Sequence, residues 1–422
     1  MSTPLADATD ALNPDPPGRR PSRHCLGHTD PAVVPALDAF VEAFGAGESI
    51  LVRPQAAYDG LERVAAQVAA LAPGPLHVTD LQAAVATVPG GQTPWDQPLF
   101  AYHTSGSTGS PKCVIYRREQ VLSHARAVRE VLALGDEYAY AALPPMRFAY
   151  GLSIVTSHLL AEVPVTFTGT EWGLPGLTQI AADDDRPVAL YALPQHTPLL
   201  LASSLGNERL ERLFIAGGRL SGASAAALAR RFPAMRLTNM YGQAEMGPRL
   251  ATWEGRPQDF SEGTIGRPIP GVTITVSDAG EFFASSEHAM SACLRPPYEV
   301  VEEFAGRREP VRTGDLGSQL PCGALQHDGR ADHIVNVAGT KVDVRRLVSI
   351  VQEVAHPLLV NVGSRPTRTG GDVVPVVEMV PDGPAPRSTA PIRRALHGEF
   401  GSLAALFDLR YVDRLTLKES GK

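Results

Sequence analysis

Between Pro98 and Gly247 short apolar runs recur with helix-length amphipathic stretches between them: Tyr138–Leu143, Val163–Phe167, Val188–Leu193, Leu213–Ala216 and Leu237–Tyr241. Strand-length runs that are apolar on both faces need cover on both sides, and intervening helices supply it. The pattern therefore predicts an α/β domain built on a largely parallel sheet. Near Gly271–Ser277 the period changes, because Val272, Ile274 and Val276 alternate with polar residues. That alternation predicts a separate β-rich unit over roughly 250–330. Beyond Gly329-Arg330 the runs Leu358–Val362 and Val373–Val380 and the helical stretch Ala390–Phe400 predict a small α+β domain. Residues 1–30, rich in Pro, Asp, Arg and Ser, read as an unstructured tail. The expected division is thus a tail at 1–30, a large domain at 31–331 and a small C-terminal domain at 332–422.

Composition removes several function classes. A formal net charge of −7 argues against a nucleic-acid partner, which needs a basic face. No apolar stretch reaches bilayer-spanning length and the N-terminus lacks an apolar signal core, so a cytoplasmic location without a membrane partner is expected. Cys25, Cys113, Cys293 and Cys322 are far apart in sequence, and no metal-binding spacing joins the histidines.

The chemistry is concentrated in Tyr102-His103-Thr104-Ser105-Gly106-Ser107-Thr108-Gly109-Ser110-Pro111-Lys112. Gly106 and Gly109 let the backbone approach an anion, the hydroxyls of Thr104, Ser105, Ser107 and Thr108 donate, and Lys112 adds charge. The spacing is not that of a P-loop, since Lys112 follows Ser110-Pro111 and precedes Cys113. A strand at Leu99–Tyr102 leads into the loop, and a helix follows over Glu119–Leu134, with Val121, Ala125, Val128 and Leu132 at helical spacing. These flanks favour a polyphosphate cradle over a solvated linker.

Three further clusters follow in order. Asn239-Met240-Tyr241-Gly242-Gln243-Ala244-Glu245 sits just past a predicted strand end, where open α/β sheets bind ligands. There Tyr241 is placed to stack on a purine and Glu245 to hold Mg²⁺. Thr313-Gly314-Asp315 offers a carboxylate to ribose hydroxyls, and Gly329-Arg330-Ala331-Asp332 offers a cation at a domain junction. The chain ends in Gly421-Lys422.

Taken in this order, the clusters resemble the adenylate-forming superfamily of acyl- and aryl-CoA synthetases, peptide-synthetase adenylation domains and luciferases. The resemblance runs from about Phe100 to Lys422, with less sequence upstream than the family usually has, as in a member with a trimmed N-terminal subdomain. It implies a large domain of parallel α/β subdomains plus a β-rich subdomain, with the C-terminal α+β domain as a mobile lid. It implies that Thr104, Ser105, Gly106, Ser107, Thr108, Gly109 and Lys112 wrap the β- and γ-phosphates of ATP and that Glu245 binds Mg²⁺. The segment Gly217-Gly218-Arg219 lies against adenine opposite Tyr241, with Asn239, Met240, Gly242, Gln243 and Ala244 beside the nucleotide. Asp315 and Arg330 hold the ribose, Asp332 or His333 is the hinge, Gly339 lines the thiol tunnel, and Lys422 reaches the α-phosphate. Phe148, Tyr150, Pro194, His196 and Gly242 fall where the acid pocket is expected. Ala244 replaces the family's threonine, Phe148 a frequent histidine and Asn336 a common lysine.

The implied function is ATP-dependent adenylation of a small organic, aromatic or other, carboxylic acid with release of pyrophosphate. Transfer to CoA or to the phosphopantetheine of an acyl-carrier protein follows. A second reading keeps the adenylation and replaces the thiol by an amine, or the acid by nitrite. A third makes the chain a nucleotide or acyl-adenylate binder without catalysis.

Overall fold

In a computed structural model the described residues are 25–28, 30, 33–53, 61–81, 86–90, 96–104, 111–168, 177–178, 184–304, 310–331, 334–338, 340–355, 359–366, 373–381 and 388–412. The mixed α/β class expected from the sequence is the class that forms, on a 12-stranded and a 7-stranded sheet. One half of the larger sheet is parallel, in the order Leu26–His28, Val165–Phe167, Ala139–Ala142, Val188–Ala192, Leu210–Ile215 and Arg236–Gln243. Each of the five apolar runs singled out above supplies one of these strands, and Val188–Ala192 is buried throughout.

Two expectations about the larger sheet need correction. The β-rich stretch is not a separate sheet: Arg236–Gln243 turns back into Gly247–Gly255, and the antiparallel strands continue the same sheet. The reason is geometric, because a short turn can return a strand only antiparallel to its neighbour. The tail also ends before residue 30, since Leu26–His28 pairs in parallel with Val165–Phe167 and buries Cys25 and Leu26.

The second sheet places Leu99–His103 beside Cys113–Arg117 as an antiparallel pair. The hydroxyl-rich loop therefore joins two strands rather than a strand and a helix. The run Cys113-Val114-Ile115-Tyr116, buried in full, is the strand that the helical expectation passed over. Next comes the helix Arg118–Leu132, entered through Gln120, whose side chain accepts the Arg117 N–H at 2.8 Å. Val121, Ala125, Val128 and Leu132 are buried as their spacing predicts. This helix packs on the helix Ala149–Ala161 and touches both sheets.

Residues 334–412 gather around an apolar cluster of their own that includes Leu347, Val351, Met379, Ile392, Leu396 and Phe407. Strand Val373–Val380 and helix Ala390–Phe400 have the expected bounds, and Leu359–Pro366 extends the first expected strand. Among the described residues no helix is long and apolar enough to cross a membrane.

Candidate active site

The turn at Ala244–Met246 is where the two sheets meet. Tyr102 and Tyr116, from the paired strands of the second sheet, stack at 5.7 Å between ring centres. Both hydroxyls donate to the Ala244 carbonyl, that of Tyr102 at 3.1 Å. Burial raises the proton affinity of both phenols, so they act as neutral donors. Gly242 lets the returning strand close: a Cβ there would lie 1.9 Å from the Pro248 carbonyl oxygen. Gly247, at φ +96°, completes the turn in a conformation that favours glycine.

Thr104 and Lys112 close the base of the hydroxyl-rich loop, the Thr104 N–H donating to the Lys112 carbonyl at 2.9 Å. Ser105, Gly106, Ser107, Thr108 and Gly109 lie outside the described residues, as do Asp332, His333, Gly339 and Lys422. The Lys112 ammonium makes an ion pair with the Glu245 carboxylate. Thr104, Lys112, Gln243, Ala244, Glu245 and Arg330 all line one cleft of about 1220 Å³. That volume accommodates a nucleotide together with a small acid. A carboxylate beside a bound polyphosphate would be electrostatically unfavourable unless a cation joined them. No group of three or more metal-ligating side chains exists among the described residues. The donor set fits Mg²⁺ in its usual mode, one carboxylate plus phosphate oxygens and water.

Beside Thr313 and Arg330, which also line the cleft, Asp315 is 3% exposed. Its Oδ2 accepts from the Tyr241 hydroxyl at 2.5 Å and from Gln243 Nε2 at 2.6 Å. His327 Nε2 and Arg330 Nη1 each lie 3.4 Å from Oδ1. Burial alone would raise this carboxyl's pKa. Hydrogen bonds from His327 and Tyr241 and the charge of Arg330 outweigh it and hold the group below the usual carboxylate range. Tyr241 is fixed through its hydroxyl, and its ring stands edge-to-face on Phe282 at 6.3 Å and tilted to His327 at 5.6 Å. His327 was not anticipated, although it stands two residues before the singled-out Gly329-Arg330.

Gly217, at φ +79°, faces Leu193, where a Cβ would come within 2.8 Å of Cδ2, and Gly218 faces Pro194 at 3.3 Å from Cγ. Arg219 turns its guanidinium to Glu262, 3.0 Å away, and to the carbonyls of His327 and Asp328. The amide of Asn239 is buried: its Nδ2 donates to the Thr264 carbonyl at 2.8 Å, while Oδ1 has no hydrogen-bond partner. Met240 packs in the core.

The five residues expected to form an acid pocket do not share a wall of the large cleft. Phe148 precedes the helix Ala149–Ala161 and is 37% exposed, with the Arg147 guanidinium 4.8 Å from its ring centre. Tyr150 is a core residue whose hydroxyl donates to the Phe214 carbonyl at 3.1 Å. His196 is buried, its Nδ1 accepting the Leu193 N–H at 3.2 Å. Arg249 escaped sequence reading altogether, yet its guanidinium lies 5.4 Å from the Tyr150 ring centre and 5.7 Å from that of Tyr191.

Residues 19–287 match the family described as AMP-binding enzyme. Novobiocin biosynthesis protein H of Streptomyces niveus is 28% identical over 307 residues, which cover 67% of this chain and 46% of that protein. Indigoidine synthase of Streptomyces lavendulae is 26% identical over 283 residues, covering 59% of this chain and 21% of that protein. The chain thus spans less than half the length of these curated relatives. The structure of O-succinylbenzoate Coenzyme A synthetase (MenE) of Bacillus subtilis, in complex with AMP, superposes with a TM-score of 0.68 at 15% identity over 96% of this chain and 94% of that one. The amide bond synthetase McbA of Marinactinospora thermotolerans superposes with a TM-score of 0.63 at 21% identity, over 94% and 87%. At such identities these likenesses are likenesses of fold.

Proposed function

Because the chain belongs to the AMP-binding enzyme family, we propose that it activates a small organic acid with ATP. The products are an acyl-adenylate and pyrophosphate, and the acyl group then passes to the thiol of CoA or of a carrier-bound phosphopantetheine. The observation that carries this reading is the meeting of Lys112 and Glu245 at the turn where Tyr102 and Tyr116 grip Ala244. Carboxylate attack on the α-phosphorus brings two anions together, so the main demand on the protein is electrostatic.

Lys112 would leave its Glu245 partner for the phosphate oxygens, and the freed Glu245 carboxylate would hold Mg²⁺, which when bound would supply positive charge near the pyrophosphate leaving group. Asp315, kept ionised, accepts from the ribose hydroxyls through Oδ1, while Tyr241 and Gln243 hold Oδ2. The unpaired Asn239 Oδ1 is available to an adenine amino group. Residues 332–422 act as the lid, turning at Asp332 or His333 to deliver Lys422 and then Gly339, so that one cleft serves both half-reactions.

ATP–pyrophosphate exchange over a panel of acids including nitrite, with hydroxylamine as trap, tests the proposal. Label is expected to enter ATP only when an acid is present. Release of ADP, or absence of adenine-nucleotide binding, would overturn it. An adenylate discharged by amines and indifferent to CoA would keep the first half-reaction and replace the second.

A further inference from the structure

Tyr298 is a buried residue in an otherwise exposed turn. The strands Ala292–Leu294 and Val301–Glu303 form a hairpin, and the first of them pairs antiparallel with Cys113–Arg117, so that Leu294 lies opposite Cys113. Beyond Leu294 the hairpin therefore runs alongside the residues that precede Cys113, which are Lys112 and Pro111. Arg295, Pro296, Pro297, Glu299 and Val300 are exposed at its tip. Tyr298 alone turns inward, 3% exposed, into the apolar cluster that holds Val64, Val68 and Cys113.

The backbone is bent to allow this. Tyr298 has φ +64°, a left-handed conformation that a bulky residue seldom adopts. Such a conformation persists only where the surroundings fix it. Here the helix Leu61–Leu71 does so from outside: Arg63 Nη1 donates to the Pro297 carbonyl at 2.7 Å and Gln67 Nε2 to the Glu299 carbonyl at 3.3 Å. The carbonyls on both sides of Tyr298 are thereby held.

The bend brings the tyrosine to the hydroxyl-rich loop. Its hydroxyl donates to the Pro111 carbonyl at 2.5 Å. Proline has no backbone N–H, so that carbonyl is the only main-chain polar group by which Pro111 can be held. The next carbonyl, that of Lys112, accepts the Thr104 N–H at 2.9 Å. Both peptides that flank the Lys112 Cα are thus fixed, and between them the side chain leaves to meet Glu245. A lysine ammonium rides on a flexible four-carbon stem, so the direction of its Cα is what the fold can set.

We infer that Tyr298 is a positioning residue for Lys112: its hydroxyl fixes the Pro111-Lys112 peptide and so aims the ammonium into the cleft. The inference rests on the adenylation reading for what Lys112 binds, while the contact itself is tested without a nucleotide.

The test compares the 422-residue chain with its Tyr298→Phe variant, which keeps the buried ring and removes only the hydroxyl. Two readouts are taken. Acetic anhydride labelling, followed by peptide mass spectrometry, reports the rate at Lys112 against that at Lys341, in the strand Thr340–Asp343. Calorimetry with ATP and with AMP then separates contacts to the outer phosphates from the rest of the nucleotide. In Tyr298→Phe the ratio of Lys112 to Lys341 labelling should rise about 5-fold, the worth of one such hydrogen bond. ATP should bind about 5-fold more weakly for the same reason, with AMP unchanged. Without ligand the variant should melt within about 2 °C of wild type. An unchanged labelling ratio would overturn the proposal, as would equal weakening of ATP and AMP or a marked fall in melting temperature with both lysines labelled faster, the signs of a merely structural anchor. An ATP affinity shared by variant and wild type would overturn it too and leave the adenylation reading intact. A wild-type chain that binds neither nucleotide would sink the adenylation reading, and the labelling ratio would still decide whether Tyr298 positions Lys112.

Discussion

Glu245, in the wall of the cleft, and Asp315, buried beside Arg330, are two carboxylates with different surroundings. Glu245 meets only Lys112 as an ion-pair partner among the described residues, and both side chains are partly exposed. Such a pair contributes at most about 1 kcal/mol to stability. Glu245→Gln is therefore expected to melt within a degree or two of wild type, roughly the shift such an energy allows. Its exchange rate should fall by about 10²-fold and its Mg²⁺ requirement should rise. Superimposable Mg²⁺ titrations of variant and wild type would remove Glu245 as the metal ligand. Asp315 has a structural role, because its hydrogen bonds hold Tyr241 and Gln243 in place. A carboxyl depressed in the folded state binds fewer protons there than in the unfolded chain. Its stabilisation is complete above the unfolded value near 3.9, about the model-peptide figure, and fades as pH falls through the depressed folded value. Asp315→Asn should cost about 1–2 kcal/mol at pH 7. In urea unfolding the gap should hold down to about pH 4 and close below it. A gap independent of pH would show that Asp315 is not ionised in the folded chain.

At the scale of elements, the hairpin of Arg236–Gln243 and Gly247–Gly255 is what turns a parallel sheet into an antiparallel one and sets Glu245 at the bend. Gly242→Ala would push a methyl group against the Pro248 carbonyl and the Arg249 Cα, both backbone positions that cannot turn aside. A loss of about 2–4 kcal/mol is expected, the range for overpacked cores and strained backbone. It would be read as a lowered urea midpoint with exchange lost in parallel. An unchanged midpoint would mean that the two strands are not in this register. The same hairpin shows what the sequence discloses and what it hides. Leu237–Tyr241 was visible as a strand because its apolar run is continuous, and Val373–Val380 and Ala390–Phe400 for equally periodic reasons. Cys113–Arg117 was hidden because a glycine-rich loop after a strand invites a helix, and five residues are too few to carry a period. Arg249 was hidden because an arginine in an alternating strand reads as the solvent face. Only tertiary packing against Tyr150 and Tyr191 reveals that this face is the core.

Across the whole molecule, the site residues come from segments far apart in sequence, and their convergence depends on the packed layers between the sheets. Motif order made the site legible, because Lys112, Glu245, Asp315 and Arg330 stand in the order that the resemblance implies; their mutual contacts were not legible, since no local pattern pairs Tyr241 with Asp315. Those packed layers contain histidines held neutral, and they set the molecule's response to acid. Burial lowers the pKa of His103 to about 4 and that of His158 to about 3, and depresses His124 and His288 as well. His158 is satisfied as a neutral ring, with Nδ1 donating to the Val163 carbonyl at 2.9 Å and Nε2 accepting from the Tyr191 hydroxyl at 2.9 Å. The unfolded chain takes up these protons first, from about pH 6.5 downward. Each such histidine therefore leaves stability intact above that pH and removes about 1.4 kcal/mol per pH unit between it and the folded value. Urea unfolding at pH 7.5, 6.0 and 5.0 should show a steep loss well above the range where carboxylates titrate. His158→Gln, which keeps a donor and an acceptor, should be somewhat less stable at pH 7.5 but lose stability less steeply, by about 1.4 kcal/mol per unit. Parallel lines for variant and wild type over that range would mean that His158 is already protonated in the folded core.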